Sequence, residues 1–313
     1  MAKIESKDSH LRDILKDELY YQIPIYQRPY QWTEENCEKL LDDLFFNYED
    51  DRESDYFCGS LVLITISEDS KAKTYDVVDG QQRLSTFILL AKVLAMLYSE
   101  RLDPERKSQE YLQESWSDRH EYKGKKKKKR LDFDLVGSSA KKDFQDTLDF
   151  FDDLDASKGE DSKSNAPSKG KNSYLKNAVC LKNYLRKKEI EDINDFIEWL
   201  YFKVVFITII CPDADKALRI FNVLNARGLA LNATDIFKGE LLKHAKEHEQ
   251  EEFVSRWNDL SQKCSDNDLK IETLFSWYLT YLNPVTSKEK TEKGLVTWFN
   301  KLNKTPLEYL IRA

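Results

Sequence analysis

Tyr75 to Leu90 reads YDVVDGQQRLSTFILL. A valine-rich run ends in Asp79-Gly80, two glutamines and an arginine follow, and an apolar helix pattern begins at once. The hydrophobic period changes there from about two to about 3.6, which predicts a strand up to Asp79 and a helix from Gly80 to Ser99. Strand, glycine turn and helix N-terminus together present free backbone N–H groups and the positive end of the helix dipole, a setting that favours an anion, most often phosphate. Gly80 permits the sharp turn and close approach of a ligand to the backbone. Gln81 and Gln82 add amide donors, and Arg83 offers a planar fork suited to phosphate oxygens. An acid such as Asp79 beside a phosphate site suits a metal, a water or a sugar hydroxyl. Plain turn and capping chemistry accounts for the same five residues equally well. On spacing alone the two readings stand level.

Working outward, YFCGSLVLITI (56–66) reads as a buried strand, QIPIYQ (22–27) as an extended segment stopped by Pro29, and KVVFITIICPD (203–213) as a third strand stopped by Pro212. Thr33 is placed to cap a helix with Cys37, Leu40, Leu41, Leu44, Phe45 and Tyr48 on one face. In the helix after Gly80, Leu84, Phe87, Ile88, Ala91, Leu94 and Ala95 face inward. Helices are predicted over SSAKKDFQDTLDFF and SYLKNAVCLKNYLRK, and from Asp213 onward with Ala217, Leu218, Phe221 and Leu224 inward. The remainder has a helical pattern, with Trp257, Trp277 and Trp298 as expected core anchors. Two segments break the rhythm. EYKGKKKKKR (121–130) is a basic run and residues 155–173 are rich in Ser, Gly and Lys, so both read as exposed loops or linkers. Near the end, TPLE (305–308) carries a capping box with proline in its favoured first position, yet only five residues follow. The expectation is an N-terminal fragment of a longer chain.

The 313 residues suffice for one large domain or two medium ones, and 41% hydrophobic with 34% charged is an ordinary globular composition. A net charge of −7 argues against a surface that grips nucleic acid all over. Five cysteines stand far apart, as reduced thiols and not a disulfide framework. The most apolar stretch, Phe87 to Tyr98, is too short to cross a bilayer. A cytoplasmic protein with no membrane partner is expected.

Two further stretches carry polar residues that secondary structure alone does not require. In IPIYQRPYQW (23–32), Gln27 and Arg28 sit among tyrosines; a lone arginine packed on aromatics is the bland reading, and a second wall of a nucleotide pocket the sharper one. In FNVLNARGLALNATDIFKGELL (221–242), helix capping explains Gly228, Asn232, Thr234 and Asp235 but leaves Asn225 and Arg227 unexplained.

IPIYQRPYQW, GSLVLI, DVVDGQQRLSTFILL and FNVLNARGLALNATDIFK, in this order and spacing, resemble the N-terminal domain of the GmrSD-type restriction endonucleases, a family related to the ParB/sulfiredoxin-like fold. The resemblance runs from about Tyr20 to Leu242, leaving out a variable middle at 100–200. It implies an α+β fold: a small mixed sheet of strands near 22–27, 57–66, 74–79 and 203–210 with flanking helices, then a mostly helical C-terminal part. A nucleotide-binding domain over 1–250 and a helical extension over 251–313 follow from it. It further implies binding and hydrolysis of a nucleoside triphosphate with Mg2+ or a similar divalent ion. Asp79, Gln82 and Arg83 would be catalytic, with Asp79 nearest the water or metal; Gln27, Arg28, Gly80, Gln81, Asn225, Arg227 and Lys238 would bind the nucleotide. The partners implied are DNA, a C-terminal nuclease domain or nuclease subunit, and a second copy in a homo-oligomer, in the setting of defence against phage with modified DNA.

The chain itself has four histidines, at 10, 120, 244 and 248, and none stands in an HNH nuclease context. His244 and His248 have a metal-compatible spacing, but LLKHAKEHEQ reads as a solvated face. The alternative is a DNA-binding module of the same fold without nucleotide hydrolysis, gripping through Lys123 to Arg130. A scaffolding member that has lost its chemistry ranks last, since the motifs are whole.

Overall fold

The computed structural model describes residues 3–16, 18–24, 27, 30–68, 72–116, 129–133, 138–149, 172–225, 237–238, 241 and 246–282. The chain divides into two compact units, one formed by 1–23, 29–133 and 138–221 and the other by 24–28, 134–137 and 222–313.

The first unit is built on a six-stranded mixed sheet of β1 (Glu5–His10), β2 (Leu19–Gln22), β3 (Tyr56–Glu68), β4 (Lys73–Asp79), β5 (Leu131–Asp132) and β6 (Val204–Cys211), ordered β1-β6-β3-β4-β2-β5. β3 is central: it pairs parallel with β6 and antiparallel with β4, while β1 closes one edge antiparallel and β2 and β5 extend the other in parallel. The unit's helices are α1 (Leu11–Ile14), α2 (Glu34–Asp50), α3 (Gln81–Leu97), α4 (Ser108–Glu114), α5 (Ser138–Asp149), α6 (Ser173–Lys187) and α7 (Ile193–Lys203), and α8 (Ala214–Asn225) runs from Ala214 across the boundary between the units in sequence. The expected α+β class holds. The extended 22–27 segment is shorter and earlier than its sequence reading, because β2 ends at Gln22, ahead of the prolines at 24 and 29. β1 and β5 have no counterpart in the four expected strands. β1, ESKDSH, is an edge strand with four exposed residues and no apolar alternation.

The helices begin where side chains can satisfy their first amides. Thr33 and Asn36 form a capping box for α2, Asn172 accepts from the Leu175 amide, Asp192 from those of Asn194 and Asp195, and Asp213 from that of Lys216. α3 is the helix at the centre. Leu84, Phe87, Ile88, Ala91 and Leu94 are buried as expected, but so are Ser85, Thr86, Leu89, Leu90 and Val93, because α4 and α6 pack on the helix as well. Phe87 meets Phe206 of β6 edge-on with ring centroids 5.7 Å apart. Each of these buried apolar side chains contributes roughly 1.5–3 kcal/mol.

The 100–200 region contributes β5 and α4 to α7 to this unit, and it corrects the reading of the basic run at its end. Arg130 is fully buried: its guanidinium donates to the Glu114 carbonyl at 2.9 and 2.6 Å and to the Leu19 carbonyl, and it lies over Tyr20. A guanidinium has five donors in a fixed fork, and here backbone carbonyls take them in place of solvent. Lys129 remains outside, paired with Asp149; residues 121–128, most of 155–173 and the 305–308 capping signal lie outside the described residues.

In the second unit α9 (Glu247–Asp266) and α10 (Ile271–Leu282) pack together, with Trp257 stacked on Phe275 at 5.3 Å and Phe237 edge-on to Phe275. Trp257 is the core anchor expected of it. Trp277 is not: it is 60% exposed, because α10 turns Phe275 and not Trp277 toward α9. Trp298 lies outside the described residues, as does the side chain of His248 and all of His244. None of the five cysteines forms a disulfide. Among the described residues no helix is long and apolar enough to cross a membrane.

Candidate functional site

The seam between β4 and α3 is shaped by two slips in the pairing of β3 with its neighbours. Opposite β6, the pairing slips between Phe57 and Gly59, and Gly59 adopts φ +114°. Opposite β4, the pairing slips between Val62 and Leu63: Val62 faces Asp79 and Leu63 faces Val77, so Val78 is an extra residue of β4 between them. Gly80 then turns the chain with φ +91° and α3 starts with no side chain capping it.

The positive φ accounts for glycine at 80, but close approach of a ligand does not. A Cβ on Gly80 would meet Leu61 Cδ1 at 2.8 Å and the Ser60 carbonyl at 3.0 Å, so β3 fills that space.

Arg83 reaches back from the first turn of α3 to the slip at Gly59. Its Nη1 donates to the Cys58 carbonyl at 2.8 Å and its Nη2 to the Ser60 carbonyl at 2.9 Å, while Nη2 lies 3.8 Å from Asp79 Oδ2. The fork expected on phosphate oxygens is laid across two backbone carbonyls of β3 beside the slip at Gly59. A Cβ on Gly59 would stand 1.6 Å from Nη1. Gly59 and Arg83 are therefore one structural device.

Gln82 is tied in the same way. Its Oε1 accepts the backbone N–H groups of Gln31 and Trp32 at 2.8 and 3.1 Å, which fastens the end of the IPIYQRPYQW stretch to α3. Tyr30 completes that fastening. Its hydroxyl lies 2.8 Å from Thr86 Oγ1 and accepts from Asn177 at 3.0 Å, and its ring stacks on Tyr174 at 4.4 Å. Burial takes Tyr30 well above the ordinary phenol range, against the opposing pull of its hydrogen bonds with Thr86 and Asn177. This aromatic of the second motif is a core residue, and it does not lie open beneath a base.

Asp79 faces outward on the sheet surface shared with Ser60, whose hydroxyl donates to its Oδ2 at 3.1 Å; the Asp79 side chain is 20% exposed. Gln81 is buried at the helix start. The remaining expected site residues belong to the second unit. There Gln27 is buried with its amide on the Pro24 carbonyl, and Lys238 is buried with its ammonium 6.0 Å from the Trp257 ring centre. Asn225 ends α8 with its side chain undescribed, and Arg28 and Arg227 lie outside the described residues. The structure thus brings Asp79, Gly80, Gln81, Gln82 and Arg83 to one seam, and gives Gln82 and Arg83 internal partners there.

Sequence reasoning passed over Ser60 and Asp76. The signal for Asp76 was in the decisive stretch itself, a charge between tyrosine and two valines in a strand otherwise read as buried. Its Oδ1 is buried with no hydrogen-bond partner, and burial alone pushes its carboxyl up from 3.8 to about 6. Among the described residues no three His, Cys, Asp or Glu side chains gather as a ready metal cage. One or two carboxylates completed by substrate phosphates is nonetheless the usual holder of Mg2+, and Asp79 with a bound nucleotide fits that pattern.

With this geometry in hand, comparison with known families finds a match to the profile described as "GmrSD restriction endonuclease, N-terminal domain" over residues 11–242. A search of the curated proteins finds no match.

Proposed function

The chain belongs to the family of GmrSD restriction endonuclease N-terminal domains, and from that premise we propose that it binds and hydrolyses a nucleoside triphosphate so as to regulate an anti-phage restriction endonuclease. The observation that carries this reading is the seam: a carboxylate, Asp79, beside an α-helix whose N-terminus no side chain caps. Backbone amides and the helix dipole there attract phosphate oxygens. A divalent ion would be held by Asp79 together with those oxygens, and would neutralise phosphate charge. Asp79, aligned by Ser60 and Arg83, orients what binds in front of it; Gln82 and Arg83 act by holding the walls of the seam in register. Gln27 and Lys238 are proposed as nucleotide contacts of the second unit, with Arg28, Asn225 and Arg227. DNA and a nuclease domain or subunit are the proposed downstream partners. The DNA-grip alternative through the basic run loses Arg130, which is buried.

The test is calorimetric titration of several triphosphates with Mg2+, paired with a phosphate-release assay. Asp79→Asn is expected to lower the hydrolysis rate about 100-fold or more with an unchanged melting temperature. Equal phosphate release by that variant and the wild type would overturn the role of Asp79. Arg83→Ala is the poorer probe, since it also releases the Cys58 and Ser60 carbonyls.

A further inference from the structure

The slip between Val62 and Leu63 has a geometric effect on the carboxylates of β4. Asp76 and Asp79 are three residues apart, a spacing that in a regular strand points them to opposite faces. Here Asp79 pairs with Val62 and Asp76 with Ile64. Val62 and Ile64 are two apart on β3 and share a face, so both carboxylates share that face as well, with backbones roughly 7 Å apart. The Ser60 hydroxyl on Asp79 confirms the facing, since Ser60, Val62 and Ile64 alternate on one side of β3. Across β4, Asp76 pairs with Gln22, and Gln22 with Asp132, which Lys141 neutralises at 3.0 Å.

Asp76 has no such partner. No side chain among the described residues bonds its buried Oδ1, and no cation lies near enough to favour its charge. A carboxylate in this position weakens the strand that carries it more than a neutral side chain of the same size would. Groups of this kind gather where chemistry needs them.

We propose that Asp76 is the general base of the nucleotide site, taking a proton from the water that attacks the terminal phosphate. The inference rests on the hydrolytic reading given above. The water oxygen forms a bond to the terminal phosphorus as the bond to the bridging oxygen breaks. The electron pair leaves on the nucleoside diphosphate, and the water proton passes to the Asp76 carboxylate and then to solvent. Asp79, on the same face but nearer the helix N-terminus, would hold the phosphates and their divalent ion in line. A carboxyl raised toward neutrality by burial is matched to proton abstraction near pH 7.

The experiment compares wild type, Asp76→Asn and Asp76→Glu in the full chain by three readouts: phosphate release, calorimetric affinity for a non-hydrolysable triphosphate with Mg2+, and melting temperature. In Asp76→Asn, kcat is expected to fall about 100-fold or more, while affinity stays within about threefold and the melting temperature is not lowered. Asp76→Glu, which keeps a carboxylate, should recover part of the loss. Phosphate release by Asp76→Asn within about threefold of wild type overturns the inference and leaves the hydrolytic reading standing. A wild-type chain that binds triphosphate and releases no phosphate overturns both.

Discussion

The coupling of Gly59 to Arg83 can be measured directly. In Gly59→Ala the new methyl would occupy the position of Arg83 Nη1, 1.6 Å away, so the guanidinium must leave its two carbonyls. Hydrogen bonds from a charged donor are worth about 1.5–3 kcal/mol each when buried. With the Arg83 side chain 24% exposed, about 1–2 kcal/mol each is the better figure. Alanine at φ +114° adds strain of about 1–3 kcal/mol. The variant should therefore lose about 3–7 kcal/mol, within reach of the whole stability of many domains. Arg83→Ala alone should lose about 2–4 kcal/mol. In the double variant the methyl meets no guanidinium, and the glycine substitution costs only its strain. Urea unfolding of all four proteins should yield a coupling of about 2–4 kcal/mol. Additivity within about 0.5 kcal/mol would refute the idea that the two residues form one device.

Two further outcomes follow from the same reasoning. Burial raises the Asp76 carboxyl from 3.8 to about 6, so its protonated form is favoured by folding. That contribution is fully present below the ordinary value and is lost as pH rises through about 6, up to about 3 kcal/mol in all at ~1.4 kcal/mol per pH unit. Urea titrations between pH 4 and 7 should show wild type losing stability across this window relative to Asp76→Asn; parallel curves would contradict the burial of a lone carboxyl. Tyr30→Phe removes a hydroxyl shared by Thr86 and Asn177 and should cost about 1–3 kcal/mol, read as a lower urea midpoint with an unchanged slope.

The strand and helix of the decisive stretch were legible because Gly80 punctuates two clear periods, and α2 and α6 because their apolar stripes are regular. β1 was not legible, since an edge strand facing solvent has no pattern to offer, and β5 is too short to have one. Trp277 misled because aromatic bulk does not say which side of a helix meets its partner. The family and the position of the seam could be read from motifs. The inward use of Arg83 and Gln82 could not, because a guanidinium or an amide suits a strand carbonyl or a loop amide as well as it suits phosphate. Only the slips in β3, invisible in the sequence, decide which of them claims the side chain. The same slips bring Asp76 round to the face of Asp79.

The single carbonyl of Gln82 that holds two amides has its own consequence. Gln31 and Trp32 exchange their amide hydrogens only when that carbonyl lets go. A ligand that recruits the Gln82 side chain must release both amides at once, leaving Tyr30 to hold this segment against Thr86 and Asn177. Position 82 is thus a fuse between an occupied seam and two neighbouring amides, and their exchange rates, rising together, would report when it blows.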